Sequence, residues 1–96
     1  MGEDFWSSCF KESDEATGLR LKYNYDQQRY GIWDSVAEDW HTEGLHCGTC
    51  FDVRHNCKWV PVRIEWGTTQ CGPDWYLVGM PYPCYGSGLD FLMVQP

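Results

Sequence analysis

Basic residues are scarce in this 96-residue sequence, which has seven Lys and Arg against fourteen Asp and Glu and a net charge of −7. Because contacts to phosphate groups require clustered positive side chains, this balance argues against nucleic acid and anionic membrane surfaces as partners. Apolar runs are also short, and none reaches the ~18 residues that a membrane-spanning helix requires. The sequence therefore predicts neither a nucleic-acid-binding protein nor a membrane protein.

A secretory leader and an Asn-x-Ser/Thr acceptor are missing as well. Met1 and Gly2, followed directly by acidic residues, are typical of an expression start placed before a mature secreted domain, so we expect that a leader has been removed. Without an acceptor sequence, N-glycosylation is not expected.

Cysteine, by contrast, is abundant, with six residues in the chain. An even number in so short a sequence is typical of a disulfide framework and predicts three disulfides formed in an oxidising compartment. Such bonds would support one domain, residues 1–96, whose hydrophobic core is small. We therefore expect a secreted, extracellular, monomeric protein with no free thiol.

Alternating side chains predict a mainly β domain with many short strands. Val60, Val62 and Ile64 alternate with other residues in the clearest strand, and Pro61, which lacks an N–H, fits an edge or a bulge there. Residues 1–18 read as an N-terminal loop region. The predicted strands are 19–26, 48–55, 58–67, 75–80 and 89–94.

One segment has the spacing of a helix. Ile32, Trp33, Val36 and Trp40 recur at offsets compatible with one helix face, and Gly44 is a plausible stop. The sequence therefore predicts one short helix over residues 32–43.

The segment from Leu45 to Trp59 contains three cysteines and two histidines, which leaves several interpretations open. A zinc site would use Cys47, Cys50, His55 and Cys57, but their spacing departs from that of a zinc knuckle. A redox Cys-x-x-Cys pair would need a helix N-terminus, whereas this one precedes a predicted strand. Disulfides are the interpretation that we favour, with no metal or other cofactor.

The segment VAEDWHTEGLHCGTCFDV, residues 36–53, resembles the barwin, expansin and cerato-platanin families, and GLDF, residues 88–91, is similar to another of their elements. The resemblance covers residues 19–94 and implies a small, disulfide-stapled double-psi β-barrel with one short helix. It also implies three disulfide pairs, although the sequence alone allows fifteen connectivities. The implied pairs are Cys9–Cys47, Cys50–Cys84 and Cys57–Cys71.

The same resemblance implies a secreted, non-catalytic protein that binds cell-wall carbohydrate or a partner protein. Six Trp, six Tyr and four Phe support this function, since flat rings stack on sugars and anchor protein interfaces. A secreted effector, toxin or inhibitor that acts on a host protein is the alternative within the binding class. The candidate binding residues are Trp59, Arg63, Trp75, Tyr76, Tyr82 and Tyr85.

A glycosidase is the enzymatic alternative. The family 45 glycoside hydrolases share the double-psi barrel, and Asp26 and Asp90 lie near the places of their two catalytic aspartates. One carboxyl group would protonate the leaving oxygen while the other activates water. With fourteen acidic residues in the chain, however, two solvated surface aspartates are the simpler interpretation. We therefore expect no hydrolysis of cellulose, chitin or xylan.

Overall fold

The alternation of apolar and polar residues from Leu19 onward builds a first antiparallel sheet. In this computed structural model, which describes residues 18–96, Leu19 and Leu21 are buried while Arg20 and Lys22 are half-buried. The strand predicted over 19–26 is thereby confirmed, although it ends two residues earlier. The N-terminal loop region predicted for residues 1–18 lies outside the described residues, apart from Gly18. The sheet contains β1 (Leu19–Asn24), β2 (Arg29–Asp34) and β3 (Asp39–Thr42), in that order.

The helix predicted over residues 32–43 is wrong, because this segment is a β-hairpin formed by β2 and β3. The Asp34 carboxylate accepts hydrogen bonds from the N–H groups of Val36 (2.9 Å) and Ala37 (3.1 Å), which favours a turn over a helix. Trp33 and Trp40 then pair across the strands, with ring centroids 5.2 Å apart. The spacing that fits a helix face therefore also fits two strands joined by a four-residue turn.

The second sheet has five antiparallel strands in the order β7-β6-β5-β4-β8. The strands predicted over 48–55, 58–67 and 75–80 are confirmed in most of their length. The segment predicted as a strand over 89–94 is instead mostly irregular, because Phe91 has a φ of 64°, which a strand does not accommodate. The strands are β4 (Cys50–His55), β5 (Lys58–Thr69), β6 (Gly72–Val78), β7 (Cys84–Tyr85) and β8 (Val94–Gln95).

A 3-10 helix, Gly86–Leu89, follows β7. Within residues 18–96, no helix is long and apolar enough to cross a bilayer.

The two sheets are joined where β1 meets the segment before β8. The Leu21 N–H donates to the Leu92 carbonyl (2.9 Å), and the Phe91 N–H donates to the Leu21 carbonyl (2.8 Å). The Arg54 N–H of β4 in turn donates to the Met93 carbonyl at 2.9 Å, so this segment connects both sheets. The hydrophobic core lies between the sheets, and its largest fully buried side chains are Leu21, Ile32, Val53, Ile64, Leu89 and Val94.

The cysteines are arranged differently from the expectation. Cys47, Cys50, Cys71 and Cys84 are free thiols, and no disulfide joins two of the residues 18–96. Each of the three implied pairs contains at least one of these four thiols, so none of the pairs is formed. Cys9 itself lies outside the described residues. The described part of the fold therefore depends mainly on its hydrophobic core and strand pairing, beside the disulfide bond of Cys57.

Strand geometry explains why two of these pairs are out of reach. Cys50 and Cys84 are on β4 and β7, three strand spacings or ~14 Å apart, whereas a disulfide allows ~7 Å between Cα atoms. Cys57 and Cys71 flank the twelve residues of β5, which extend over ~40 Å. Neither pair could close without rearranging the five-stranded sheet.

Candidate functional site

Four of the six predicted binding residues share one face of the five-stranded sheet. Successive residues of a strand point to opposite faces. Val62 and Ile64 of β5 are buried on the core side, so Trp59 and Arg63 belong to the opposite side, which we call the outer face. The register continues this face across the sheet, because Glu65 is opposite Tyr76 and Tyr76 is opposite Tyr85. The residues of the outer face from the predicted set are Trp59, Arg63, Tyr76 and Tyr85.

The other two predicted residues lie elsewhere. Trp75 is on the core side of β6 and is 7% exposed. Tyr82 is in the loop between β6 and β7, where its ring lies 5.5 Å from that of His55. Trp66, which the alternation in β5 assigns to the core side, is 51% exposed because the hairpin of β5 and β6 extends beyond the core there.

A groove whose described lining residues carry no charge lies between the tip of the β5–β6 hairpin and β7, and we call it the hairpin-tip groove. It has a volume of about 420 Å³, and Leu77 and Cys84 are its buried lining residues. The Tyr85 hydroxyl donates to Gln70 Oε1 at 3.4 Å and is also 3.8 Å from the Cys71 thiol. The other residues that line the hairpin-tip groove are partly or fully exposed: Thr68, Thr69, Gln70, Tyr76, Pro83 and Tyr85.

Several polar atoms of this groove have no partner within residues 18–96. They are the Tyr76 hydroxyl, the Thr68 hydroxyl and the Gln70 amide nitrogen. The hydrogen bond from Cys71 raises the pKa of the Tyr85 phenol, so this group stays neutral over the physiological range. The groove therefore offers neutral donors and acceptors beside two aromatic rings.

A second groove of similar volume, about 420 Å³, crosses the outer face nearer to β4. Pro61 and Val78 supply apolar exposed surface, and Arg63 and Asp52 supply charge. Arg63 Nε donates to Glu65 Oε2 at 2.6 Å, so the positive charge is already paired. Mixed apolar and charged surface of this kind is typical of protein interfaces, and the partner-protein function stays a prediction.

The two aspartates of the glycosidase alternative are separate. Asp26 is exposed in the turn between β1 and β2, where its N–H donates to Asn24 Oδ1 at 3.0 Å. Asp90 follows the 3-10 helix, and its carboxylate accepts a hydrogen bond from the Tyr30 hydroxyl at 2.6 Å. No hydrogen bond within the described part of the chain links the two carboxylates or gives them a common partner.

The buried Tyr30 phenol should make the folded protein less stable at alkaline pH. Burial, and next the hydrogen bond to Asp90, raise the pKa of Tyr30 above the usual value. In the unfolded chain this phenol ionises above pH ~10. The Tyr30 contribution is therefore complete below that pH and is lost as the pH rises toward the higher folded-state pKa.

We expect the free energy of unfolding of the wild type to fall more steeply above pH 10 than that of Tyr30→Phe. The slopes of the two proteins against pH should differ by at most ~1.4 kcal/mol per pH unit. Urea unfolding at several pH values between 8 and 12 measures both slopes. Tyr25→Phe is the matched control, since Tyr25 is 83% exposed and should leave the slope unchanged. Equal slopes for the wild type and Tyr30→Phe would contradict the role of this phenol.

The zinc alternative finds no support in the arrangement of its residues. Among residues 18–96, no group of three or more His, Cys, Asp or Glu side chains is arranged to hold a metal ion. Cys47 and Cys50 are exposed thiols, and His55 packs on Tyr82.

A cation–aromatic cluster on the three-stranded sheet was not predicted. Lys22 Nζ lies 4.0 Å from the ring centroid of Trp33, and Trp40 packs edge-on against the same ring. The helix prediction assigned both Trp residues to the apolar face of a helix and so concealed their proximity to β1. Since Lys22 already lies over the Trp33 ring, we interpret this cluster as support for the hairpin.

Comparisons with known proteins identify relatives of this fold. The family described as Domain of unknown function (DUF5348) matches residues 19–92. The chain is also similar to a protein from Ruminococcus gnavus whose crystal structure was determined by the Northeast Structural Genomics Consortium. The two share 44% sequence identity with a TM-score of 0.62, over 82% of this chain and 97% of the other. No curated protein matches the chain.

Proposed function

Because the chain belongs to the family described as a domain of unknown function, DUF5348, we propose its function from its surface. The protein is a non-catalytic binding module that holds a neutral carbohydrate in the hairpin-tip groove. The single observation that carries this proposal is a groove with no charged residue in its described lining, in which two tyrosine rings lie beside neutral polar groups that have no partner within residues 18–96.

The rings of Tyr76 and Tyr85 supply the apolar part of the site. The two residues are cross-strand neighbours of β6 and β7, which fixes their separation. The axial C–H groups of a sugar ring can pack on such rings, and a flat aromatic side chain provides a large contact area at little conformational cost. Tyrosines held by a sheet are therefore suited to a pyranose ring.

The polar atoms of the groove would provide specificity for the ligand through hydrogen bonds. A sugar carries many hydroxyl groups, each of which both donates and accepts. The Gln70 amide nitrogen can donate to such a hydroxyl, and the Tyr76 and Thr68 hydroxyls can donate or accept. Since no charged side chain of the described residues lines the groove, a charged ligand would find no counter-charge among them. A volume of about 420 Å³ lies in the range of small-molecule sites.

The same observations favour binding without hydrolysis. Cleavage of a glycosidic bond requires two carboxyl groups near the bond, and among residues 18–96 no carboxylate lines the hairpin-tip groove. Asp90 lies outside the groove lining and is hydrogen-bonded to Tyr30. The double-psi barrel, secretion and the monomeric state stay predictions, and the proposed binding role does not depend on them.

Titration with neutral oligosaccharides of the cellulose, xylan and chitin series tests the proposal. We expect binding of at least one series, weakened about tenfold or more in Tyr76→Ala and in Tyr85→Ala, which is ~1.4 kcal/mol each. Tyr25→Ala is the matched control, because Tyr25 is 83% exposed in the turn between β1 and β2 and lies outside the groove lining. Calorimetry measures the affinities, and a reducing-sugar assay should find no product.

Two results would contradict the proposal. The first is the absence of binding to every neutral series at millimolar concentrations. The second is binding that Tyr25→Ala weakens as much as the two groove variants do. Reducing sugar that is released by the wild type but not by Asp90→Asn would instead establish the glycosidase.

A further inference from the structure

Arg29, at the start of β2, is a cation that the fold holds in a fixed position. Its Nη1 donates to the Leu45 carbonyl at 3.2 Å and to His46 Nδ1 at 3.3 Å. Its guanidinium carbon lies 5.9 Å from the ring centroid of Trp75. Two hydrogen bonds and one aromatic contact therefore orient the guanidinium group.

This guanidinium has no counter-charge among the residues that the structure describes. Within residues 18–96 no carboxylate lies at ion-pair distance from Arg29, although the chain has fourteen acidic residues and a net charge of −7. The residue is also half-buried, so water screens its charge less than at the open surface. A fixed cation that no described residue pairs with, in an acidic protein, indicates a site for an anionic ligand.

The free edge of the guanidinium suits a carboxylate. Only Nη1 donates within the described part of the chain, which leaves Nε and Nη2 available. These two groups donate in parallel in one plane and match the two oxygens of a single carboxylate. The hydrogen bonds of Nη1 restrict rotation of the fork, so less entropy is lost when a ligand binds.

Gly44 provides the space for this arrangement. A Cβ atom at position 44 would lie 2.7 Å from Cδ of Arg29 and 3.2 Å from Cγ, both closer than normal contact. Any larger residue at this position would displace the side chain of Arg29. Gly44→Ala is therefore a means of moving the guanidinium without removing its charge.

An exposed aromatic ring lies next to the cation. Trp66 is 51% exposed and packs edge-on against Trp75, with centroids 5.3 Å apart, so Trp75 contacts both Trp66 and Arg29. A ligand whose carboxylate pairs with Arg29 would have its remaining atoms close to this indole pair. A flat ring is the shape that packs best on an exposed indole.

We propose that Arg29, Trp66 and Trp75 form a binding site for a small carboxylate attached to a flat ring. Arg29 binds the carboxylate in a bidentate manner, and the ring packs on Trp66. The site is independent of the hairpin-tip groove, because Trp75 and Tyr76 are consecutive residues of β6 and point to opposite faces.

Three probes separate the parts of this proposal. Benzoate has both the ring and the carboxylate, benzamide has the ring without the charge, and acetate has the charge without the ring. Two-dimensional NMR of the labelled protein follows the indole N–H signals of Trp66 and Trp75. We expect benzoate to shift both signals in a saturable manner, and benzamide and acetate to bind at least tenfold more weakly.

Variants of the site give the second half of the test. Arg29→Gln and Gly44→Ala should weaken benzoate binding at least tenfold, and Arg29→Lys should weaken it as well, since an ammonium group cannot form the bidentate pair. Tyr76→Ala, on the other side of β6, should leave benzoate binding unchanged. Arg29→Lys and the comparison with benzamide decide the question if Arg29→Gln does not fold.

Other results would overturn the proposal. Benzamide binding as tightly as benzoate would remove the role of the charge. Unchanged benzoate binding in Arg29→Lys, or no saturable shift with benzoate at 50 mM, would remove the site itself. A loss in Tyr76→Ala equal to that in Gly44→Ala would place benzoate in the hairpin-tip groove instead.

Discussion

Gly31→Ala is expected to lower the free energy of unfolding by about 3 kcal/mol, at the upper end of the cost of overpacking. Gly31 is buried in β2, and a Cβ atom there would lie 2.5 Å from the Thr42 carbonyl oxygen and 2.7 Å from that of Glu43. Both contacts are with backbone atoms, which cannot rotate away as a side chain would. Strand β2 would have to move away from the end of β3 and the segment that follows it.

That separation would break hydrogen bonds as well as contacts. The Glu43 carbonyl accepts from the Asn24 amide at 2.9 Å, and the Leu45 N–H donates to the Tyr30 carbonyl at 2.8 Å. Both bonds connect residues 43–45 to the first hairpin, so moving this segment weakens them together. The cost should therefore exceed that of the steric contact alone.

Thermal unfolding followed by circular dichroism measures the effect, and a midpoint at least ~10 °C lower is expected for a domain of this size. Gly88→Ala is the matched control, because a Cβ atom there meets only the Cys84 sulfur, at an ordinary 4.0 Å. Similar midpoints for the two variants would show that β2 can relax around the added methyl group.

Leu21→Ala should destabilise the protein by about 3–4 kcal/mol, within the usual range for a buried leucine. The side chain is 0% exposed and belongs to the core between the sheets. Its backbone accepts from Phe91 and donates to Leu92, so the site cannot collapse freely around the lost atoms. A cavity that cannot collapse gives the larger cost in such series.

Urea unfolding gives this difference directly, provided that the dependence on denaturant stays the same for both proteins. Val36→Ala, at a residue that is 79% exposed, should change the free energy of unfolding by less than ~0.5 kcal/mol. A cost below ~1 kcal/mol for Leu21→Ala would mean that the two sheets do not depend on a common core.

The fold was predictable from the sequence where local pattern and tertiary packing agree. In β5, Val62 and Ile64 alternate with Arg63 and Glu65, and the structure buries the first pair while it leaves the second more exposed. The hairpin of β2 and β3 was missed because the spacing of its apolar residues also fits a helix. The turn bonds of Asp34 decided between them, and a side-chain bond to the backbone is not visible in hydrophobic periodicity.

The cysteines show the limit of composition as evidence. An even count favours disulfides on average, but a bond requires two sulfur atoms that the fold brings together. Strand order, which no single sequence reveals, separates Cys50 from Cys84 by two intervening strands. Cys71, in turn, lies at the far end of the hairpin.

The candidate sites were predictable only in part. Tyr76 and Tyr85 were identified as aromatic residues near turns, and the register then placed them side by side on one groove. Arg29 had no signal in the sequence, because an arginine in a polar turn is usually solvated. Only the structure shows that no carboxylate of residues 18–96 pairs with it and that Trp75 lies beneath it.

The hydrogen bonds between Leu21 and the segment 91–92 also have a kinetic consequence. The hairpins of β1–β2–β3 and of β4–β5–β6 are local and can each form quickly. Joining them requires a contact between the two ends of the described chain. The entropy cost of closing this long loop comes before the core is buried and can offset it. The association of the two preformed hairpin units should therefore limit the folding rate, and until then both sheets present their apolar faces to other molecules.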